Sequence, residues 1–242
     1  MLLKTVSILC LLFAVNVHAE TPEWINTITM SGDMRLRYDF LKKESPANTP
    51  DRHRNQIRAR LLTQAQPMED VTVGFRIATG DSSNVITSNN TTMDNAGADK
   101  AIWLDQGYIA WKPNERDRLI GGKMETPFYT VMKSQLIWDS DLTPEGIAGQ
   151  YVWPVGLFLN WGAFWIEERS SGSDAGPSDT GLFAAQIGWN ADFGAVKMTL
   201  GAGEYYYGGI KGKPVINPSG TGVTAYSGRG NSTDNTGTTA LY

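Results

Sequence analysis

Cysteine and histidine are nearly missing from this chain. Its one cysteine is Cys10, and one of its two histidines is His18. Both fall within residues 1–19, which read as an export leader. Lys4 is the only charge there, Val6 to Val15 form a short apolar run, and Val17-His18-Ala19 supplies the small-x-small spacing for cleavage before Glu20. The run is shorter than the roughly twenty residues a membrane helix needs. Ser7-Ile8-Leu9 ahead of Cys10 lacks the small residue expected before a lipid-anchored cysteine. The expected mature chain, residues 20–242, therefore has no thiol, hence no disulfide, no thiolate metal site and no cysteine nucleophile. It keeps one histidine, His53, in a predicted external loop. That is too few for a zinc site of the usual histidine or cysteine type, and a solvated loop histidine is a poor base for a Ser-His hydrolase. Gly122-Lys123 lacks the upstream glycine and the following Ser or Thr of a phosphate loop. No cofactor and no chemistry are expected.

Long apolar runs are missing too. After the leader nothing could cross a bilayer as a helix, so only a closed barrel could. Charge of one sign is also scarce. The formal net charge is −4, and loss of Lys4 with the leader makes it −5. That mild acidity is no footprint for nucleic acid. What the chain does have is 26 glycines and ten per cent aromatic residues spread along its length, a composition suited to tight turns and interfacial aromatic girdles.

The organising stretch is Ile28 to Phe40. One face of its period-two pattern carries Ile28, Met30, Gly32, Met34, Leu36, Tyr38 and Phe40, and the other Thr29, Ser31, Asp33, Arg35, Arg37 and Asp39. An amphipathic edge strand of a soluble β-protein could alternate in this way, but globular strands usually have about five or six residues, whereas a tilted membrane strand needs about nine to eleven. Eight more strands are predicted: Gln56 to Gln66, Val71 to Thr79, Ala101 to Lys112, Arg118 to Met124, Ile147 to Trp153, Val155 to Glu167, Gly181 to Trp189 and Ala195 to Tyr207. In the second, Arg58, Arg60, Gln64 and Gln66 form the polar face, with Leu62 as an exception. In the fourth, Ile102, Leu104, Tyr108 and Ala110 are read toward lipid, leaving Trp103, Asp105, Gly107 and Trp111 inside.

The connections separate the two readings. Short turns at Pro67–Asp70, Pro113–Asp117, Pro154 and Asn190–Gly194 alternate with long polar loops at Leu41–Arg54, Gly80–Lys100, Glu125–Gly146 and Arg169–Thr180. A bacterial outer-membrane barrel alternates in this way, with turns at one rim and loops at the other; a soluble sandwich has no reason to. The fold class expected is all-β, a transmembrane antiparallel barrel. Nine strands cannot close a bacterial single-chain barrel, which needs an even number. The Gly/Ser/Thr/Asn-rich stretch from Gly208 to Tyr242 shows no final alternating strand, so residues 20–242 are expected to form an incomplete barrel domain. An intact eight- or ten-strand barrel is the alternative.

Six stretches in order, Ser31-Gly32-Asp33-Met34-Arg35-Leu36-Arg37-Tyr38, Arg58-Ala59-Arg60, Gly74 to Gly80, Leu104 to Trp111, Gly122 to Phe128 and Ile137 to Gly146, together resemble the putative-porin family of Gram-negative outer membranes. The resemblance is close over residues 28–152 and weaker to about 207. It implies a sixteen-stranded, homotrimeric diffusion channel in outer-membrane lipid, passing small hydrophilic solutes or ions. A related group, the alginate-export type barrels, moves anionic polysaccharide instead. A small structural or adhesin barrel, whose lumen side chains would plug, is a further alternative, and strand number decides between them.

If the parity is right, Arg35, Arg37, Arg58, Arg60 and Arg76 project into the lumen from three neighbouring strands, with Asp33 and Asp39 offsetting part of their charge. By the same resemblance, the third long loop folds inward and narrows the channel. It carries Asp139, Asp141 and Glu145, so acids would face a basic wall across the constriction, and rows of charge are how pores select. Two plainer readings remain. The arginines could pair with wall carboxylates and only hold the barrel's shape. The acids could bind calcium, though Asp139-x-Asp141-x-x-x-Glu145 lacks the EF-hand spacing and glycine. Most of the tryptophans fall near predicted strand ends or outer faces, where interfacial anchoring explains them; stacking of sugars in the lumen is the other possibility.

Overall fold

The computed structural model describes residues 22–42, 51–80, 88–168 and 179–210, and the backbone of 234–236 and 239–241. The leader, residues 1–19, lies outside them. Ten strands form one sheet: β1 Thr29–Leu41, β2 Arg52–Met68, β3 Val71–Thr79, β4 Thr91–Thr92, β5 Ile102–Trp111, β6 Asp117–Lys123, β7 Glu145–Val152, β8 Leu157–Glu167, β9 Thr180–Asp192 and β10 Lys197–Gly208. Every pair is antiparallel, in the order β1-β2-β3-β5-β6-β7-β8-β9-β10, with the short β4 set against β2. β11 Asp234–Thr236 and β12 Thr239–Leu241 form a separate hairpin. There is no α-helix among the described residues, only three short 3-10 turns. Nor does any pairing there join β1 to β10, so the sheet has two free edges.

All nine predicted strands are present, each within a few residues of its expected bounds. The largest difference is in β2, which begins at Arg52, so His53 is a strand residue and not a loop one. Its ring lies 4.7 Å from that of Phe40 and shares a 2.6 Å hydrogen bond with the Tyr38 hydroxyl. Two- to five-residue turns join β2 to β3, β5 to β6, β7 to β8 and β9 to β10, and long connections alternate with them. The turn chemistry is local. In the β7–β8 turn Pro154 follows Trp153, and the Gly156 N–H closes onto the Trp153 carbonyl at 3.0 Å. Proline pre-sets the first corner of such a turn. Gly156 then takes φ +85°, where a Cβ would sit 2.2 Å from the Asn190 carbonyl oxygen, so the position admits only glycine. In the β5–β6 turn the Asn114 side chain accepts the Arg116 and Asp117 N–H groups.

The two faces of the sheet differ in kind. Met34 and Leu36 on β1 are 69 % and 67 % exposed, and Phe75, Ile109, Ile147, Phe183, Ile187 and Leu200 continue this exposed apolar face across the strands. A soluble monomer rarely exposes an apolar patch beyond a few hundred Å²; a barrel wall in lipid must. The opposite, inner face carries the arginines and is covered by the long connection between β6 and β7. There Phe128 and Trp138 of the connection bury themselves among Ala110, Ile120, Met124, Ala148, Phe164, Leu182 and Ala184, and Trp138 stacks on Tyr205. Trp138 is therefore no interfacial anchor; it belongs to this core.

One parity expectation is corrected. Arg76 pairs with Gln106 but the next residue, Ile77, pairs with Leu104, leaving Asp105 unpaired in a bulge. A bulge inserts one residue and shifts the alternation beyond it. Ile102 and Leu104 face out as expected. After the bulge Tyr108 and Ala110 turn to the inner face and pack with its core, while Ile109 and Trp111 are exposed, the reverse of the sequence reading.

Candidate functional site: an arginine row under the inward connection

The register of β1 on β2 builds the row. Arg35 sits directly opposite Arg58, Asp33 opposite Arg60 and Arg37 opposite Gln56, so these side chains share the inner face. Like charges facing each other across a strand pair destabilise it. Asp33 answers that cost. Its Oδ1 accepts from Arg58 Nη2 and its Oδ2 from Arg60 Nε, both at 2.7 Å. Arg37 donates to Gln56 Oε1 through Nε at 3.2 Å. Asp39 pairs with Arg54 at 2.6 Å and only marginally with Arg37, at 4.0 Å.

Arg76 stands one strand further along. It forms a buried pair with Asp105, and its Nη1 donates to Glu125 Oε1 at 2.7 Å. Bulging puts Asp105 and Gln106 in succession on the inner side, both buried, which is how a carboxylate comes to stand behind the Arg76 guanidinium. Arg35 is different. Its Nη2 donates to Asn90 Oδ1 at 2.6 Å, and among the described residues its buried Nε has no partner and no acid forms a direct ion pair with it. Asn90 arrives from the second long connection, which β4 ties alongside Gln56 and Ile57.

The long connection after β6 spans this face. At its base the Met124 N–H bonds the Pro144 carbonyl at 2.9 Å. Over β7 and β9 it is pinned by polar side chains: Gln150 donates to the Pro127 carbonyl at 2.8 Å, and Gln186 both accepts from the Tyr129 N–H at 2.7 Å and donates to its carbonyl at 2.9 Å. Further along the same connection, Asp141 Oδ1 lies 3.7 Å from Arg58 Nη1 and 3.8 Å from Arg60 Nη1. That oxygen is buried and makes no hydrogen bond among the described residues, so its contact with the two guanidiniums is one of charge.

The three acids read from the sequence thus part company. Asp141 meets the row. Asp139 instead accepts the Asp141 N–H at 2.9 Å and shapes the local turn. Glu145, on β7, faces Lys123 on β6 and pairs with it at 2.8 Å. Among the described residues no three His, Cys, Asp or Glu side chains stand close enough to hold a metal ion. Sequence reasoning did not single out Asn90, Glu125 or Gln186. Glu125 carried the signal of an acid at the foot of the loop; Asn90 and Gln186 carried none, being neutral residues brought in over long sequence separations.

No curated protein sequence matches the chain. A family model described as putative porin matches residues 41–238, a span that takes in β2 to β10 and both connections that cover the arginine row. The chain belongs to the putative porin family.

Proposed function

We propose that this protein is an outer-membrane porin, a water-filled barrel through which small hydrophilic solutes and ions diffuse passively, and that the arginine row and the connection after β6 form its constriction. The observation that carries the reading is the approach of Asp141 to Arg58 and Arg60. One connection leaves β6, is pinned to the wall at Gln186, and brings an acid to the cations of β2. A cluster of guanidiniums with an acid seated against it on the wall of an aqueous channel sets up a local field, which orients dipolar solutes and discriminates ions by sign. Among the described residues, the six arginines of the β1–β3 row, Arg35, Arg37, Arg54, Arg58, Arg60 and Arg76, outnumber the five carboxylates that meet them, Asp33, Asp39, Asp105, Glu125 and Asp141. Arg35 is the arginine of the row that forms no direct ion pair among the described residues, so the constriction favours anions.

In this reading the exposed apolar face lies against outer-membrane lipid, residues 1–19 direct export and are removed after Ala19, and the assembly is a homotrimer. The site residues are the pore-lining Arg35, Arg37, Arg58, Arg60 and Arg76 and, on the connection, Asp141. The test is reconstitution of the full-length protein in planar bilayers and liposomes. Stepwise ohmic conductance, with liposome swelling that falls as solute size rises, supports it. Insertion without conductance, or swelling indifferent to solute size, refutes it.

A further inference from the structure

Leu62, the apolar exception on the polar face of β2, opens onto a recess of about 270 Å³ beneath the start of the connection after β6. At roughly 30 Å³ per water in the liquid this is room for about nine waters. It is slightly below the low end, about 300 Å³, of sites for drug-sized ligands. Gln64, Gln106, Tyr108, Arg118, Glu125 and Gln150 supply its polar lining. Five of these come from β2, β5, β6 and β7, all from inner-face positions, and Glu125 comes from the connection.

Gln106 is the informative residue. It is 2 % exposed, and its amide nitrogen has no hydrogen-bond partner among the described residues. A buried donor left empty has lost water and gained nothing, and this one sits in the wall of an open recess. The groups around it are arranged for both donation and acceptance. The Gln64 amide nitrogen donates to the Tyr108 hydroxyl at 2.8 Å, which leaves the Gln64 carbonyl oxygen to accept and the tyrosine proton to donate. Arg118 uses one nitrogen on Gln150 Oε1 at 3.3 Å and keeps its other donors. Glu125 spends one oxygen on Arg76 and keeps the second. The lining thus carries a charge of each sign, Arg118 and Glu125, the latter shared with Arg76. The Tyr108 ring with Leu62, Ile120 and Met124 provides an apolar side.

We infer that this recess is a binding subsite for a neutral, hydroxyl-rich solute of monosaccharide size. Hydroxyl groups each donate once and accept twice, the mixture this lining offers. An anion would meet the free Glu125 oxygen, and a cation would meet Arg118. The subsite deepens the porin reading, since it requires the recess to open onto the solute path.

Saturation-transfer NMR on the full-length protein in detergent micelles tests it, with glucose as the probe and gluconate and glucosamine as charged comparisons. The expected result is transfer to glucose above both charged analogues, weakened roughly three- to tenfold in apparent affinity by Gln106→Leu. Arg118→Ser, at an exposed position, is expected to do the same with no risk to folding. No transfer to glucose in the unaltered protein, transfer to gluconate above glucose, or equal transfer with Arg118→Ser would overturn the subsite. Salt conductance in the same preparation reports separately on the channel, so loss of sugar binding and loss of the pore are distinguishable.

Discussion

Asp33 and Arg60 stand directly opposite each other across β1 and β2, joined by a 2.7 Å hydrogen bond, while the second oxygen of Asp33 takes Arg58. One carboxylate thus holds down two of the cations that also face Asp141. Asp33→Asn removes that restraint without changing shape. Because the Asp33 side chain is 38 % exposed, the loss of stability should stay below about 1 kcal/mol. The charge balance of the row changes by a full unit, however. The zero-current potential in a KCl gradient should move toward greater anion preference, with single-channel conductance little altered.

The pair formed by Arg76 and Asp105 should behave in the opposite way. Both side chains are nearly solvent-free, so removing Asp105 leaves the Arg76 guanidinium in a poorly solvated site with only the exposed Glu125 as partner. Asp105→Ala is expected to destabilise the barrel by about 3–5 kcal/mol, whereas replacing both, as Arg76→Met with Asp105→Leu, should recover much of that. Urea unfolding from micelles, followed by tryptophan fluorescence, measures the difference. A double variant no more stable than the single one would mean that the pair itself holds the bulge.

The bulge predicts a reversal of accessibility along β5. With Cys10 replaced by serine the chain is free of thiols, so each introduced cysteine is the only label site. Tyr108→Cys should react with a membrane-impermeant thiol reagent in reconstituted protein, and Ile109→Cys should not. On β1, Arg35→Cys should react and Met34→Cys should not. If Ile109→Cys labels and Tyr108→Cys does not, the alternation runs unbroken through Asp105, and Arg76 loses its buried partner.

Gln186 holds the connection after β6 by two hydrogen bonds to the Tyr129 backbone. Gln186→Leu forfeits both, at about 0.5–1.5 kcal/mol each, while Phe128 and Trp138 stay packed in the core. The expected outcome is a connection that remains seated but moves more, seen as added current noise at unchanged mean conductance. A quiet channel would show that the apolar cluster alone fixes it.

These effects also mark what could be read from the chain. The strands of the sheet were legible because a period of two is a local property, and Ile28 to Phe40 displays it over a whole strand. The turns were legible because Pro154, Asn114 and the glycines act within a few residues of themselves. The bulge at Asp105 was not, since an inserted residue leaves the composition of Ile102–Trp111 unchanged and only the partner strand reveals the slip. Charge alone singled out Asp139, Asp141 and Glu145 equally. Only Asp141 reaches Arg58 and Arg60, because Glu145 lies across from Lys123 in the β6–β7 ladder and Asp139 turns back to its own backbone. Asn90 and Gln186 needed the fold, as their partners lie 55 and 57 residues away.

The central claim is that Arg58 and Arg60, with Asp141 seated against them, line the path of the permeating solute. The most direct measurement is the ratio of anion to cation permeability, from zero-current potentials in planar bilayers, for the full-length protein, for Arg58→Ser with Arg60→Ser, and for Asp141→Asn. The account predicts opposite shifts: the serine pair toward cations and the asparagine toward anions. If neither variant moves the ratio while both conduct, the arginines and Asp141 hold the barrel together away from the constriction, and the claim fails.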